Sequence, residues 1–129
     1  MDRNTKLTLA ELIRRKEQML DERRRNAEAE LYIPSLDADI IIRMPSRDVV
    51  RDASEMDDGD TYLCYKCIKE PEISAPELAA EFGCVQPMDI VEKLFLPGEV
   101  RDIAIECMKL AGYNNGVRSV KKEIKEIKN

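Results

Sequence analysis

Residues 31–45, Leu-Tyr-Ile-Pro-Ser-Leu-Asp-Ala-Asp-Ile-Ile-Ile-Arg-Met-Pro, decide the fold class, because their strand-like composition stands between flanks that favour helices. Leu31–Pro34 and Asp39–Pro45 are rich in β-branched and large apolar residues, and Ser35–Ala38 supplies a turn between them. The natural reading is a β-hairpin. Pro34 and Pro45 limit pairing at its ends, since proline cannot donate to a ladder. Two strands alone are marginal in water, so one face of the hairpin must pack on helices.

On the N-terminal side, Thr8-Leu9-Ala10-Glu11 reads as a capping box, with Thr8 accepting from the Glu11 amide while the Glu11 carboxylate reaches back. Leu9, Leu12, Ile13 and Leu20 then fall on one stripe, with Lys16 interrupting it and Met19 beside it. Strong helix formers continue through Arg23-Arg24-Arg25 to Glu30 without Gly or Pro. The expectation is a long, charged amphipathic helix over residues 1–30. Its apolar stripe is thin, which suits contact with a partner or another copy.

On the C-terminal side the spacing turns helical again. Ser46 caps a helix carrying Val49, Val50, Ala53 and Met56, and an acidic turn over Met56–Asp60 leads to the next. Asp58 or Asp60 caps that second helix, which runs through Tyr62, Leu63, Tyr65, Cys67 and Ile68 until Pro71 ends it. Ser74-Ala75-Pro76-Glu77 is a second capping box, opening a short helix to Phe82 that Gly83 stops. Pro87-Met88-Asp89 leads into Ile90, Val91, Leu94 and Phe95. Pro97-Gly98-Glu99 opens a helix whose inner face carries Val100, Ile103, Ala104, Cys107, Leu110 and Ala111, closed by Gly112. After the turn Tyr113–Gly116, Val117, Val120, Ile124 and Ile127 recur at 3-4-3 spacing among Lys and Glu, the pattern of a basic terminal helix. The expected fold is mainly α: a helical domain with one small antiparallel β-hairpin and a long charged N-terminal helix. Its parts are 1–30, the hairpin plus helical core over 31–112, and the basic helix over 113–129.

Bulk properties narrow the function. A length of 129 residues fits one domain, and 43% hydrophobic with 5% aromatic residues implies an aliphatic core. No stretch approaches the roughly 18–20 apolar residues of a membrane span. The N-terminal residues lack the apolar core of a signal peptide, so the expected location is the cytoplasm. Charge is uneven: residues 1–30 carry 8 basic and 7 acidic groups, 31–112 carry 8 and 17, and 113–129 carry 5 and 2. The acidic body repels phosphate backbones, which argues against nucleic acid as a partner. The chain has no histidine, so it lacks the commonest general base and metal ligand and cannot form Ser-His-Asp or Cys-His catalytic sets.

Cys64-Tyr65-Lys66-Cys67 is half of a zinc knuckle, but Cys84 and Cys107 stand singly in separate elements. Small buried hydrophobes are the favoured reading of all four cysteines, over a zinc-binding adaptor or regulatory protein and over a thiol enzyme. The acidic turn Asp57-Asp58-Gly59-Asp60 lacks the alternating ligands of a calcium loop, and the glycines are isolated, so no phosphate cradle exists. No catalytic residue, metal ligand or cofactor is assigned. Lys93-Leu94-Phe95-Leu96-Pro97-Gly98-Glu99 has two readings, a buried corner between helices and a hydrophobic docking patch.

Several of these segments together resemble a known family. They are Leu7–Leu12 with its charged helix, Tyr32-Ile33-Pro34-Ser35-Leu36, Ile41–Arg47, Phe82–Val100 and Leu110-Ala111-Gly112-Tyr113. In this order they resemble the XkdN-like phage tail assembly chaperones over roughly residues 7–128. Gly83-Cys84-Val85 followed by Pro87, Asp89-Ile90-Val91, Lys93-Leu94-Phe95 and Pro97-Gly98-Glu99-Val100 is the most specific part. The resemblance implies a non-enzymatic protein that coats the tape measure protein and keeps it soluble until tail tube subunits polymerise around it. It also implies absence from the mature virion, contact with the tail tube protein, and a longer product made by frameshifting, for which Lys121-Lys122 is a candidate slippery site. Homo-oligomerisation fits an exposed amphipathic helix. The candidate partner-binding residues are Leu9, Leu12, Ile13 and Leu20 of the N-terminal stripe, Leu94, Phe95 and Leu96 of the corner, and Val120, Ile124 and Ile127 of the terminal helix.

Overall fold

The hairpin is present and begins earlier than its composition suggests. A computed structural model describes residues 6–113, 116 and 117. In it, β1 (Glu28–Ile33) and β2 (Ala38–Arg43) pair antiparallel, from Glu28 opposite Arg43 to Ile33 opposite Ala38. The turn between them places Asp37 at φ 47, in the left-handed region that short polar side chains tolerate. Tyr32 Oη donates to Asp37 Oδ1 at 2.7 Å across this turn. Strand alternation turns Ala29, Leu31 and Ile33 of β1 inward with Ile40 and Ile42 of β2. Ile42 is fully buried.

The single long N-terminal helix is corrected to two shorter pieces, α1 (Leu9–Arg14) and α2 (Lys16–Arg25), which break at Arg15. The break coincides with Arg15 Nε donating to Glu11 Oε2 at 3.0 Å, beside the Arg14–Glu11 pair. Glu11 is therefore occupied by arginines. Only the Thr8 half of the expected capping box forms, with the Glu11 amide 3.2 Å from Thr8 Oγ1. Helix formation stops at Arg25 because β2 captures the next residues: the Met44 amide donates to Ala27 O at 2.8 Å, and Glu28–Glu30 join the ladder. Intrinsic helix preference of Glu-Ala-Glu is a few tenths of a kcal/mol and yields to pairing.

After β2 come α3 (Arg47–Ser54) and α4 (Gly59–Cys67). Ser46 caps α3 as expected, accepting from the Val49 amide at 3.2 Å. Asp58 takes the cap position of α4 without a side-chain hydrogen bond. Pro71 does not end this helix; it ends four residues earlier. Ile68 turns extended, and β3 (Ile68–Glu70) adds a third strand beside β2, giving the order β1-β2-β3. Three residues are too short for alternation to separate a strand from a helix end, so the sheet alone selects it.

α5 (Pro76–Glu81) starts at a different cap from the one expected, with Ala75 and not Ser74 in that position. Pro76 drives its predecessor out of the α region, and Ala75 sits at φ −60, ψ 127. Gly83, at φ 65, closes α5 as expected, and the Cys84 amide returns to Ala79 O at 3.0 Å. A 3-10 turn (Pro87–Asp89) runs into α6 (Ile90–Leu94), and α7 (Pro97–Leu110) follows. α7 buries Val100, Ile103, Ala104 and Cys107 against Leu63, Cys64 and Cys67 of α4 and the inner face of the sheet. Ile90, Val91 and Phe95 complete this aliphatic core. The expected terminal helix, with Val120, Ile124 and Ile127, lies outside the described residues.

Candidate functional site

The N-terminal stripe is where the structure leaves most apolar surface unpaired. Neither α1 nor α2 buries a residue. Leu9 is 74% exposed, Ile13 68%, Leu20 48% and Leu12 40%. Burying a wholly exposed Leu or Ile gains about 1.5–3 kcal/mol, and each of these residues would gain the share of it that it still exposes. Helical pieces this short are marginal alone, and this arm is held by the Thr8 cap and surface pairs such as Arg14–Glu11 and Arg24–Asp21. Exposed pairs contribute little, typically under about 1 kcal/mol each. The arm meets the body where Met19, Arg23, Ala27, Met44 and Leu110 line a groove of about 790 Å³.

The corner Leu94–Leu96 divides. Phe95 is a core residue, 4% exposed, and Leu94 is half-buried, while Leu96 is 59% exposed. Phe95 in the folded chain therefore has no free surface for a partner, and the buried-corner reading describes it. The reason is alternation at a helix junction: Leu96 leads into α7 extended, at φ −69, ψ 153, so its side chain points away from that of Phe95.

Glu99 organises this corner. Its carboxylate accepts from the Leu96 amide at 3.0 Å, from Ser35 N at 3.0 Å and from Ser35 Oγ at 2.7 Å. The first bond caps α7 and the other two bind the hairpin turn to it. These donors, led by the Ser35 hydroxyl, hold the Glu99 carboxyl below the usual glutamate value. Leu36, 48% exposed, follows Ser35 in the turn that Glu99 binds, and Leu96, 59% exposed, donates its amide to the same carboxylate. Leu36 was not among the expected contact residues. Its signal was its place in the segment Tyr32–Leu36, which the turn composition alone does not mark as surface.

The cysteines sit in the core. Cys64 and Cys107 are fully buried, Cys67 is 1% exposed and Cys84 half-buried. Cys64 Sγ donates to Val100 O at 3.3 Å, and burial pushes its thiol up to about 12. The Cys107 thiol is also raised, first by its hydrogen bond with Cys67 and then by burial. Thiols without access or ready ionisation are poor nucleophiles and ligands. Among the described residues no three His, Cys, Asp or Glu side chains converge on a metal position. Nor is any described helix long and apolar enough to cross a membrane.

A family model described as phage XkdN-like tail assembly chaperone protein matches residues 45–128. The chain belongs to this family. The matched span begins after β2 and takes in α3 through α7, including Glu99, while α1, α2, the first two strands and Ser35 precede it. No curated protein and no solved structure matches the chain.

Proposed function

We propose that this protein binds the tape measure protein of a phage tail in the host cytoplasm and keeps it soluble during assembly, without catalysis or a cofactor. The observation that carries this reading, given the family, is the N-terminal arm: an amphipathic pair of helices that buries none of its own residues. A long helical client with apolar stripes is matched by a holder that lays an apolar helix face along it. Leu9, Leu12, Ile13 and Leu20 form that face, and Leu36 and Leu96 offer a second apolar contact at the Glu99 corner. The net acidic body over 31–112 disfavours nucleic acid, and a membrane is not part of the reading. The tail tube protein, a frameshifted longer form and another copy of the chain are secondary partners on the same reading.

The test is co-expression with the tape measure protein encoded in the same gene cluster, reading the soluble client and its co-purification. Leu12→Asp with Ile13→Asp places two charges in the stripe and removes no core contact. Co-purification is expected to fall at least tenfold while the melting curve of the protein is unchanged. Undiminished capture of the client by this double variant would move the site away from the arm.

A further inference from the structure

We propose that β1 takes an added strand along its outer edge, supplied by a partner protein as an extended segment in which apolar residues alternate with Lys or Arg. Among the described residues the sheet has the order β1-β2-β3, so β1 and β3 are its edges. β3 is three residues long, and its register against β2 shifts between Ile41 and Ile42. Short, irregular edges resist further pairing. β1 has neither defence: its six residues pair with β2 in one unbroken register and include no proline.

The ladder fixes which groups the open edge presents. The Met44 amide donates to Ala27 O in the same register that sets Glu28 opposite Arg43. Bonded pairs of an antiparallel ladder recur at every second residue, so Ala29, Leu31 and Ile33 turn their N–H and C=O towards β2. Those of Glu28, Glu30 and Tyr32 point outward, as donors and acceptors for another strand. Beside this edge lies a groove of about 280 Å³ between β1 and α7, walled by Leu31, Ile33 and Ile103 and also lined by Glu99, Asp102 and Glu106. Ile33 and Ile103 are buried and Leu31 is half-buried, so Leu31 is the apolar surface left to cover. A strand laid against β1 sends every second side chain towards this groove and the others to the outer face beside Glu28 and Glu30.

Charge selects the occupant. The described lining of the groove carries three carboxylates and no cation. Asp102 is exposed there, and Glu30 is exposed on the outer face of the sheet, so Lys or Arg is favoured on both sides of the added strand. A second copy of this chain would instead set another Glu28 and Glu30 beside the first, and like charges across paired strands are destabilising. In such an addition main-chain bonds give the affinity and alternate side chains the specificity. The edge shares no residue with the stripe of Leu9, Leu12, Ile13 and Leu20, so this inference and the client reading of the stripe can fail separately.

Amide hydrogen exchange of the isotope-labelled full-length chain tests it, with the acetylated and amidated peptide Lys-Val-Lys-Val-Lys-Val-Lys as probe. At millimolar peptide the amides of Glu30 and Tyr32 are expected to exchange at least tenfold more slowly, while those of Leu31 and Ile33, already bonded to β2, change little. A control peptide with proline for each valine has the same charge but cannot continue a ladder, and should bind at least tenfold more weakly. Glu30→Lys with Asp102→Lys should weaken the valine peptide at least tenfold; if circular dichroism shows that this variant is disturbed, Glu30→Gln with Asp102→Asn should weaken it at least threefold. Unslowed exchange of the Glu30 and Tyr32 amides, equal binding of the proline peptide, or indifference to the substitutions overturns the proposal. So does slowing that needs only a higher concentration of the protein itself, which would give the edge to a second copy.

Discussion

Gly59→Ala sets two known effects against each other, and the structure decides the sign. Gly59 is the first residue of α4, where propensity alone favours Ala over Gly by about 0.5–1 kcal/mol. A Cβ placed there, however, would overlap the Ala53 carbonyl oxygen of α3 and sit 3.0 Å from its carbon. The obstacle is backbone, and that same oxygen accepts the Met56 amide at 3.2 Å, so no side chain can swing aside. Relief requires α3 and α4 to part, and overpacking of this kind costs about 1–3 kcal/mol. With the backbone unable to give, the upper end applies, and the net loss is about 2 kcal/mol after the propensity gain. For a domain of this size that is a fall in Tm of about 8 °C. Thermal unfolding followed at 222 nm measures it. Gly98→Ala is the control: Gly98 also lies in a helix, but a Cβ there meets nothing within 4 Å, so Tm should hold or rise. A Gly59→Ala protein as stable as the parent would refute the close approach of α3 and α4.

Phe95→Ala should cost about 3–5 kcal/mol as a core truncation, whereas Leu96→Ala, which swaps one non-capping side chain for another at an exposed position, should change stability by less than about 0.5 kcal/mol; urea midpoints of the two variants distinguish core from surface at this corner. For Glu99, the folded-state pKa lies below the ordinary 4.5, so its contribution is complete above that value and drains away as pH falls through the folded pKa. Glu99→Gln should therefore flatten the acid limb of a Tm–pH profile below 4.5 and leave its neutral limb parallel to that of the parent. Thiol titration with an aromatic disulfide at neutral pH should find Cys84 reacting first, with Cys64, Cys67 and Cys107 released only by denaturant. Rapid reaction of three or four thiols in the native protein would contradict the packed α4–α7 core.

Local chemistry made much of this protein legible from its residues alone. The Ser46 cap, the Gly83 and Gly112 stops and the Pro97 start each depend on a few adjacent residues, and each is where the sequence places it. The inner face of α7 was readable for the same reason: Val100, Ile103, Ala104 and Cys107 follow the 3.6-residue period that burial requires. The family was also legible, because an ordered run such as Phe82–Val100 is far more specific than any short motif.

What only the tertiary structure decided involves residues distant in the chain. Glu28–Glu30 and Ile68–Glu70 are strands because both lie against β2, and neither segment carries a local preference strong enough to announce it. The Glu99 carboxylate looked like the start of a helix, and its second role appears only when the hairpin turn brings Ser35 to it across 64 positions. Phe95 and Leu96 are equally apolar neighbours, and packing sent one into the core and the other to solvent. Hydrophobicity along a sequence measures what a side chain would gain by burial. Whether a neighbouring element is there to bury it is a property of the fold.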